Sequence, residues 1–388
     1  MPIDLVEGPL KGYHHQTYAV RLDPASPFAK DFSRLKLREP REGVYWYDMR
    51  WFPSEDLVLR LLDDHYRDRL PHIPPVRNLN VQGQWTAFLG FIEGVTLDRA
   101  PGSRGARVVE KYVDQIVELF RSLVAVDPRL LETFGGPFPC GCEQHEATGP
   151  RSTRAAVKGG STAFLCGLTH FTVRHAYEDR QRASLHDLLT ELGVPRGALA
   201  AFERRRPQLT DRPRALLHGD LHRKNFIVDP DGALWTIDWE LALIGDPLYD
   251  LATHLHLMAY PEDQEEELVG RWERAVGEDA AAGAREDLPH YRAYKCVQSL
   301  CTDVIRAATR LLESPDVPGT REAYTRLRGT SAVVGNALEA VREPLGVEKM
   351  PSRPAVEGVF HDWWRQARDA AHGRTPVTTH SGQGLYGP

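Results

Sequence analysis

Alternating apolar and polar positions near the N-terminus predict an antiparallel β-hairpin. The segments 17–22 and 33–38 each alternate in the manner of a strand, and they flank the turn-rich stretch 23–27. A later run, 85–92, has the composition of another strand and leads into a Glu-Gly pair. We therefore predict a small N-terminal sheet that ends at about residue 92.

Apolar residues at helical spacing predict helices between and after these strands. Ser54 is a candidate N-cap for a helix that follows the hairpin. Similar spacing predicts helices over 106–126 and 164–180. Between them, the stretch 134–160 contains Gly, Pro and Cys without periodicity, so we expect an irregular insertion there.

This order of elements predicts an α+β fold with a small antiparallel-sheet N-lobe and a larger, mainly helical C-lobe. We expect a nucleotide-binding lobe over 1–92, a helical lobe over 93–370, and a flexible tail over the polar, Gly-rich residues 371–388. A chain of 388 residues with 41% hydrophobic residues is large enough to bury the cores of two lobes.

Charge and composition exclude several classes of protein. The net charge of −6 is spread over 54 acidic and 48 basic residues without a long basic block, which argues against a nucleic-acid partner. No run approaches the roughly 20 apolar residues of a membrane span, and the N-terminus lacks the pattern of a signal peptide. The five cysteines lack the dense spacing of a secreted disulfide scaffold. We therefore expect a cytoplasmic protein without a membrane partner.

The segment most informative about chemistry is 218–225, which reads His-Gly-Asp-Leu-His-Arg-Lys-Asn. A hairpin signal at 229–232 would fold the following strand back beside this segment. Asp220, Asn225 and Asp238 could then face one cleft. Phosphoryl transfer requires a carboxylate that accepts the acceptor's proton and oxygen ligands for Mg²⁺, and these residue types supply both.

The spacing of these residues matches a known arrangement. Protein kinases place their catalytic Asp five residues before a metal-binding Asn, and Asp220 and Asn225 keep that spacing. A metallohydrolase is the alternative, because His218, Asp220 and His222 are residue types that can ligate zinc. The kinase interpretation also accounts for Asn225 and Asp238.

Three linked motifs resemble those of the aminoglycoside phosphotransferase and choline kinase superfamily. The family signature is HGDxHxxN, then a hydrophobic residue followed by Asp and Trp or Phe, then GDPxxDLA. This chain carries the motifs in that order at 218–225, 237–239 and 245–252. The resemblance implies a protein-kinase-like fold and transfer of a phosphoryl group from ATP, with GTP as an open alternative donor.

The same resemblance implies a role for each matching residue. Asp220 would be the catalytic base, with His218 orienting its loop. Asn225 would act beside Asp220 and would ligate Mg²⁺ together with Asp238. Asp250 would brace the catalytic loop.

The resemblance is weaker in the N-terminal lobe. The segment expected to cover the nucleotide has one glycine, Gly12. The cation that holds the phosphates would lie on the third strand, where Lys36 and Arg38 share one face. We favour Lys36, keep Arg38 as the alternative, and expect Glu55 to be the partner.

The predicted adenine site lies in the linker between the lobes. Gly90 and Ile92 match the positions at which relatives hold adenine through backbone groups. Because such contacts do not depend on side chains, the sequence leaves the choice between ATP and GTP open.

Three functions from different classes remain. The first is an O-phosphotransferase acting on a hydroxyl of a small molecule, such as an aminoglycoside, another antibiotic or a natural-product intermediate. The second is a Ser/Thr peptide kinase of peptide natural-product biosynthesis, with 134–160 as its docking surface. The third is a nonenzymatic, pseudokinase-like scaffold. The acidic run 262–267 could attract a cationic acceptor, although a helix N-terminus also favours such residues.

Overall fold

The computed structural model describes residues 6–10, 15–26, 29, 33–41, 51–52, 54–81, 84–98, 105–132, 160–177, 183–315 and 318–372. The statements below concern these residues. The predicted insertion 134–160, apart from its last residue, and the predicted tail beyond residue 372 lie outside them.

A five-stranded antiparallel sheet forms the N-terminal part of the fold. Its strands are β1 (Val6–Leu10), β2 (His15–Arg21), β3 (Arg34–Pro40), β4 (Val76–Val81) and β5 (Gln84–Gly90), in the order β1-β2-β3-β5-β4. The predicted hairpin of β2 and β3 is confirmed, with Ala19 opposite Lys36. The strand predicted over 85–92 is also confirmed, as β5, although it ends at Gly90, two residues before the predicted end.

Helix α1 (Glu55–Tyr66) follows the hairpin as predicted. Ser54 caps it, because the Ser54 hydroxyl accepts a hydrogen bond from the backbone N–H of Leu57 at 3.4 Å. Val58 and Leu62 on its inner face are fully buried, as expected for an amphipathic helix on a sheet. The buried face fixes the rotation of α1 about its axis, and this fixes the position of Glu55.

The chain then forms short strands and helices around residues 218–225, the predicted catalytic segment. A three-stranded sheet contains β6 (Val95–Thr96), β8 (Phe226–Val228) and β9 (Leu234–Thr236), and a two-stranded sheet contains β7 (Ala215–Leu217) and β10 (Leu243–Gly245). The predicted hairpin of β8 and β9 is confirmed. Gly94 lies where this sheet meets the linker. Its φ is +148°, and a β-carbon there would lie 2.2 Å from the carbonyl oxygen of Val228, so only glycine fits.

Helices dominate the rest of the chain, as predicted. They are α2 (Glu110–Val124), α3 (Pro128–Glu132), α4 (Gly160–Tyr177), α5 (Ala183–Glu191), α6 (Arg196–Glu203), α7 (Pro247–Met258), α8 (Glu262–Val276), α9 (Glu278–Ala281), α10 (Ala284–Leu312), α11 (Arg321–Leu345) and α12 (Arg353–His372).

Helix α2 begins four residues later than residue 106, where the sequence predicted its start. The backbone N–H of Val108 donates to the side chain of Gln264, and the Val108 carbonyl accepts from the same side chain. These two bonds satisfy an extended backbone at Val108, so the helix begins after it.

Contacts divide the chain into two compact units. The first contains Met1–His175 and Glu203–Lys295, and it holds every predicted site residue that the structure describes. The second contains Ala176–Phe202 and Cys296–Pro388, in which α11 and α12 pack together and α12 also contacts α5. The predicted boundaries at residues 92 and 370 stay a prediction. No helix in the described ranges is long and apolar enough to cross a membrane.

Candidate active site

The catalytic segment begins where strand β7 ends. The strand is buried along its whole length and pairs with β10, so the backbone enters the loop at a fixed position. Gly219 makes the turn with a φ of +80°. A β-carbon at Gly219 would lie 2.6 Å from the carbonyl oxygen of Leu241, so both the backbone conformation and the space require glycine.

Asp250 on helix α7 holds the start of this loop. Its Oδ2 accepts the backbone N–H of His218 at 3.0 Å, and its Oδ1 accepts that of Gly219 at 2.9 Å. Burial raises the pKa of Asp250 to about 6, and the two N–H donors act in the opposite direction. The bracing contact expected for Asp250 is therefore present.

His218 joins the loop to the segment that carries Asp238. Its Nδ1 accepts the backbone N–H of Asp220 at 3.3 Å, so the proton of the neutral ring lies on Nε2, which donates to the carbonyl of Ile237 at 3.1 Å. Burial lowers the pKa of His218 to about 4, which keeps the ring neutral near pH 7. The ring can orient both segments, and it has no ring nitrogen left for a metal.

Asn225 lies against Asp220. The amide nitrogen of Asn225 is 2.9 Å from the backbone carbonyl of Asp220 and 3.2 Å from its Oδ2. Both of these partners are acceptors, so the amide orientation is fixed with the nitrogen towards Asp220. The amide oxygen of Asn225 consequently has no hydrogen-bond partner among the described residues.

His222 contacts the same carboxylate. Its Nε2 lies 3.3 Å from Asp220 Oδ2. Burial would raise the pKa of Asp220, but the hydrogen bond and charge of His222 outweigh it, and the pKa of Asp220 is lowered. Burial would lower the pKa of His222, but the hydrogen bond to Asp220 outweighs burial and leaves that pKa raised.

Asp238 follows strand β9 and has a left-handed backbone, with φ 69° and ψ 63°. Burial, followed by the charges of Glu240 and Glu55, raises the pKa of Asp238 to about 7. The carboxylate of Asp238 accepts no hydrogen bond from the described residues. A carboxylate that is close to two other carboxylates, and whose charge Lys36 offsets only in part, is an environment that a cation would stabilise.

These donors fit Mg²⁺. The oxygens of Asn225 and Asp238 are hard ligands of the kind Mg²⁺ prefers, and both are open. Two protein ligands suffice where substrate phosphates and water complete the shell. The zinc interpretation has less support, because the described residues contain no cluster of three or more His, Cys, Asp or Glu side chains that could hold a metal.

Lys36, Arg38 and Glu55 come together between β3 and α1. Arg38 Nη1 lies 2.6 Å from Glu55 Oε2, and Lys36 Nζ lies 3.9 Å from the same oxygen. Glu55 Oε1 accepts the backbone N–H of Trp239 at 3.1 Å. Burial would raise the pKa of Glu55, but Lys36, Arg38 and this N–H leave it lowered. Glu55 thus connects α1 to the residue that follows Asp238.

The sequence did not identify Glu240 as part of this cluster. Its Oε2 lies 3.7 Å from Arg38 Nη1 and 3.4 Å from His15 Nδ1, so it joins the segment after Asp238 to strands β2 and β3. Glu240 is only 9% exposed. A charged residue beside Trp239 in an otherwise apolar stretch was the available signal.

The structure also positions the residues predicted to hold the nucleotide base. The N–H of Gly90 donates to Pro75 within the sheet, whereas the described residues make no hydrogen bond to the backbone of Ile92. Arg34 forms an ion pair with Glu93 and stacks on Phe91, which holds the linker against β3. Gly12 lies outside the described residues.

His254 on helix α7 forms a hydrogen bond with the backbone of the loop. Its Nδ1 donates to the carbonyl of Leu221 at 3.0 Å, so its Nε2 accepts the hydroxyl of Tyr260 at 2.9 Å. Burial lowers the pKa of His254 to about 3. The sequence did not indicate this contact with the loop.

Two other features contain none of the predicted site residues. A cavity of about 510 Å³ is lined by His72, Gln115 and Thr236 among others, and it contains none of the predicted site residues. The acidic run of α8 is paired with arginines: Asp263 with Arg107, Glu265 with Arg292, Glu266 with Arg285 and Glu267 with Arg271. The run therefore gives no support to a cation-binding pocket.

Solved structures share this fold. The ethanolamine kinase of Plasmodium vivax is 16% identical, with a TM-score of 0.50, over 86% of this chain and 85% of that chain. A choline/ethanolamine kinase family protein from Mesorhizobium loti is 16% identical with a TM-score of 0.45, and 91% of each chain is covered. The macrolide 2′-phosphotransferase MphH from Brachybacterium faecium is 15% identical with a TM-score of 0.45, over 86% of this chain and 92% of that chain.

The likeness to the Plasmodium vivax enzyme confirms the predicted kinase-like fold. No curated protein sequence matches the chain. The model of the phosphotransferase enzyme family matches residues 6–288, which is most of the chain and includes all three linked motifs. The predicted family and enzyme class are confirmed: this chain belongs to the phosphotransferase enzyme family.

Proposed function

We propose that this phosphotransferase moves the γ-phosphate of ATP or GTP to a hydroxyl of a small molecule, with Mg²⁺ held by Asn225 and Asp238. The supporting observation is that Asn225 donates to Asp220 through its amide nitrogen while its amide oxygen stays open. One residue thus aligns the carboxylate that would act as base and presents a metal ligand. The reaction would use the cytoplasmic nucleotide pool.

The chain's own groups then have distinct tasks. Asp220 would align the acceptor hydroxyl and take its proton as the acceptor oxygen bonds to the γ-phosphorus and the bond to the leaving nucleoside diphosphate breaks. Lys36, with Arg38 beside it, would offset negative charge on the phosphates. Bound Mg²⁺ would neutralise charge that develops on the phosphate oxygens.

The linker supports nucleotide binding at the predicted place. No described residue hydrogen-bonds to the backbone of Ile92, and Arg34 holds the neighbouring Glu93. Backbone groups here would recognise the base, so we propose that the choice between adenine and guanine is decided by the linker conformation. The intact Asp220, Asn225 and Asp238 favour an enzyme over the scaffold alternative.

The test is Mg²⁺-dependent transfer by the purified full chain. The acceptors would be aminoglycosides, nucleoside antibiotics, Ser/Thr peptides, and amino alcohols such as the ethanolamine named for the Plasmodium vivax relative. Mass spectrometry should detect a product that has gained one phosphate, with ATP or GTP as donor. A phosphorylated peptide would favour the alternative peptide kinase. A chain that neither binds nucleotide nor consumes it would contradict the proposal.

A further inference from the structure

A backbone group determines which nitrogen of the neutral His222 ring carries the proton. The backbone N–H of Lys224 donates to His222 Nδ1 at 3.1 Å. A backbone amide can only donate, so Nδ1 is the acceptor and the proton of the neutral ring lies on Nε2. That N–H lies 3.3 Å from Asp220 Oδ2, and the ring therefore donates to this oxygen.

The two oxygens of Asp220 have different surroundings. Oδ2 receives both the ring N–H of His222 and the amide nitrogen of Asn225, at 3.3 and 3.2 Å. Oδ1 has no hydrogen-bond partner among the described residues. The side chain of Asp220 is 30% exposed, so a bound molecule can reach the carboxylate.

Two donors on one oxygen restrain the rotation of a carboxylate. A single hydrogen bond would let the group swing and exchange its oxygens, whereas donors from both flanks fix the oxygen that they share. The second oxygen is left with its lone pairs open to an incoming O–H. Alignment of this kind matters because a displacement of about 1 Å can cost about 10²-fold in rate.

We propose that Asp220 takes the acceptor's proton on Oδ1, and that His222 is a positioning residue which holds Oδ2. This inference rests on the proposed phosphotransfer. The acceptor O–H bond breaks as its oxygen bonds to phosphorus, the proton moves to Oδ1, and the nucleoside diphosphate leaves with the electron pair of the broken P–O bond. His222 keeps its own proton throughout.

The first experiment compares His222→Leu with His222→Gln. Leucine keeps bulk but removes the donor, so kcat should fall by about 10- to 100-fold while the KM for nucleotide changes by less than about twofold. Glutamine restores an N–H that can reach Oδ2 and should recover most of the loss. His290→Leu is the matched control, because His290 is an exposed histidine of α10 outside the predicted site, and its kcat should match the wild type.

Equal losses in both His222 variants, or a loss confined to nucleotide KM, would overturn the role of His222. Circular dichroism and the unfolding midpoint of each variant identify losses that reflect misfolding. Mg²⁺-dependent nucleotide hydrolysis by the wild-type chain serves as a separate test of the proposed function, so the two failures can be distinguished.

The second experiment does not depend on activity. In the ¹H–¹⁵N spectrum of ¹⁵N-histidine-labelled protein at pH 8.5, the ring that disappears in His222→Gln should show its proton on Nε2. A proton on Nδ1 would overturn the proposal even in an active enzyme. In Asp220→Asn the amide can turn its own nitrogen towards the ring, so the Nε2 proton signal of His222 should shift.

Discussion

Arg38 and Lys36 both approach Glu55, but only Arg38 makes a short ion pair with it, at 2.6 Å against 3.9 Å. Arg38 also approaches Glu240 at 3.7 Å, whereas Lys36 makes no second ion pair with a described residue; both side chains are 14% exposed. These two basic residues of one strand therefore have different surroundings. Arg38 is committed to buried carboxylates, and Lys36 has more freedom to contact phosphates.

Replacing Arg38 should destabilise the fold more than replacing Lys36. Arg38→Met leaves Glu55 without its shortest ion pair, and loss of one partner of a buried pair costs about 3–5 kcal/mol. Lys36→Met should cost less but should raise the KM for nucleotide. Urea unfolding and nucleotide titration measure the two effects. The exposed pair of Arg121 and Glu118 is the control, and Arg121→Ala should leave stability nearly unchanged. Equal loss of stability in the Arg38 and Lys36 variants would contradict this assignment.

Asp250→Asn should weaken the start of the catalytic loop. Asparagine can accept one of the two N–H groups that Asp250 accepts, but its own amide would face the other donor. We expect about 2–3 kcal/mol of lost stability, measured by urea unfolding, together with lower kcat. Asp231→Asn in the exposed hairpin turn is the control and should change stability by ~0.5 kcal/mol or less. A neutral Asp250→Asn would show that the loop does not need both contacts.

Gly219→Ala tests whether space, rather than backbone conformation alone, requires glycine in the loop. Gly219 and Gly277 have similar φ values, +80° and +88°, but a β-carbon meets nothing within 4 Å at Gly277. Gly277 has ψ 165°, a conformation almost restricted to glycine, so Gly277→Ala should cost about 1–3 kcal/mol through backbone strain. Gly219→Ala should cost at least ~2 kcal/mol more, because the β-carbon meets the carbonyl of Leu241. Thermal unfolding of both variants measures the two losses of stability. Equal losses would show that the contact with the carbonyl of Leu241 adds no cost at Gly219.

His254 should contribute to acid sensitivity. Its pKa is lowered to about 3 by burial, so below the ordinary value of 6.5 the unfolded chain binds a proton that the folded chain does not. Above pH 6.5 neither the folded nor the unfolded chain takes up this proton. As the pH falls below 6.5, proton uptake by the unfolded chain lowers the free energy of unfolding by about 1.4 kcal/mol per pH unit. Asp250, with its raised pKa, has the opposite slope between about pH 6 and 4.

A variant isolates the His254 contribution from that of Asp250. His254→Asn can keep a donor for the carbonyl of Leu221 but cannot take up the proton. It should be less stable than the wild type at pH 8 because the bond to Tyr260 is lost, and its stability should fall less steeply between pH 6.5 and 5. Urea unfolding at pH 8, 6.5 and 5 measures both slopes. If the stability of the variant and of the wild type fell equally steeply with pH, His254 would not contribute to acid sensitivity in this way.

Removing the Asp238 carboxylate should remove the response to Mg²⁺. Asp238→Ala should lower Mg²⁺-dependent turnover by about 10²-fold or more, and a chelator should do the same to the wild type. Mg²⁺ with nucleotide should raise the unfolding temperature of the wild type, and this rise should shrink in the variant. Near-normal turnover in Asp238→Ala would remove this residue from the metal site.

The sequence predicted those parts of the site that depend on local pattern. The strands around Asp220 and the cap at Ser54 follow from periodicity and turn chemistry, which act over a few residues. Glu240 could not be predicted as a partner of Arg38, because about 200 residues separate them. Lys36 and Arg38 share a strand face, so only their distances from Glu55 distinguish them.

The histidines show the same limit. The position of a histidine in the sequence indicates the element that carries it, but its tautomer depends on what each ring nitrogen contacts. For His254 those partners are Leu221, from a different element, and Tyr260. For His222 the partner is a backbone N–H, which the identity of residue 224 does not reveal.

The paired acidic run of α8 affects how an acceptor reaches the enzyme. A stretch of like charge in the sequence would create a long-range attraction only if it stayed unneutralised. Arginines from α10, from within α8 and from residue 107 neutralise most of this one. A cationic acceptor would therefore approach this face at a diffusional rate that depends little on ionic strength, and any selectivity for charge must arise after the encounter.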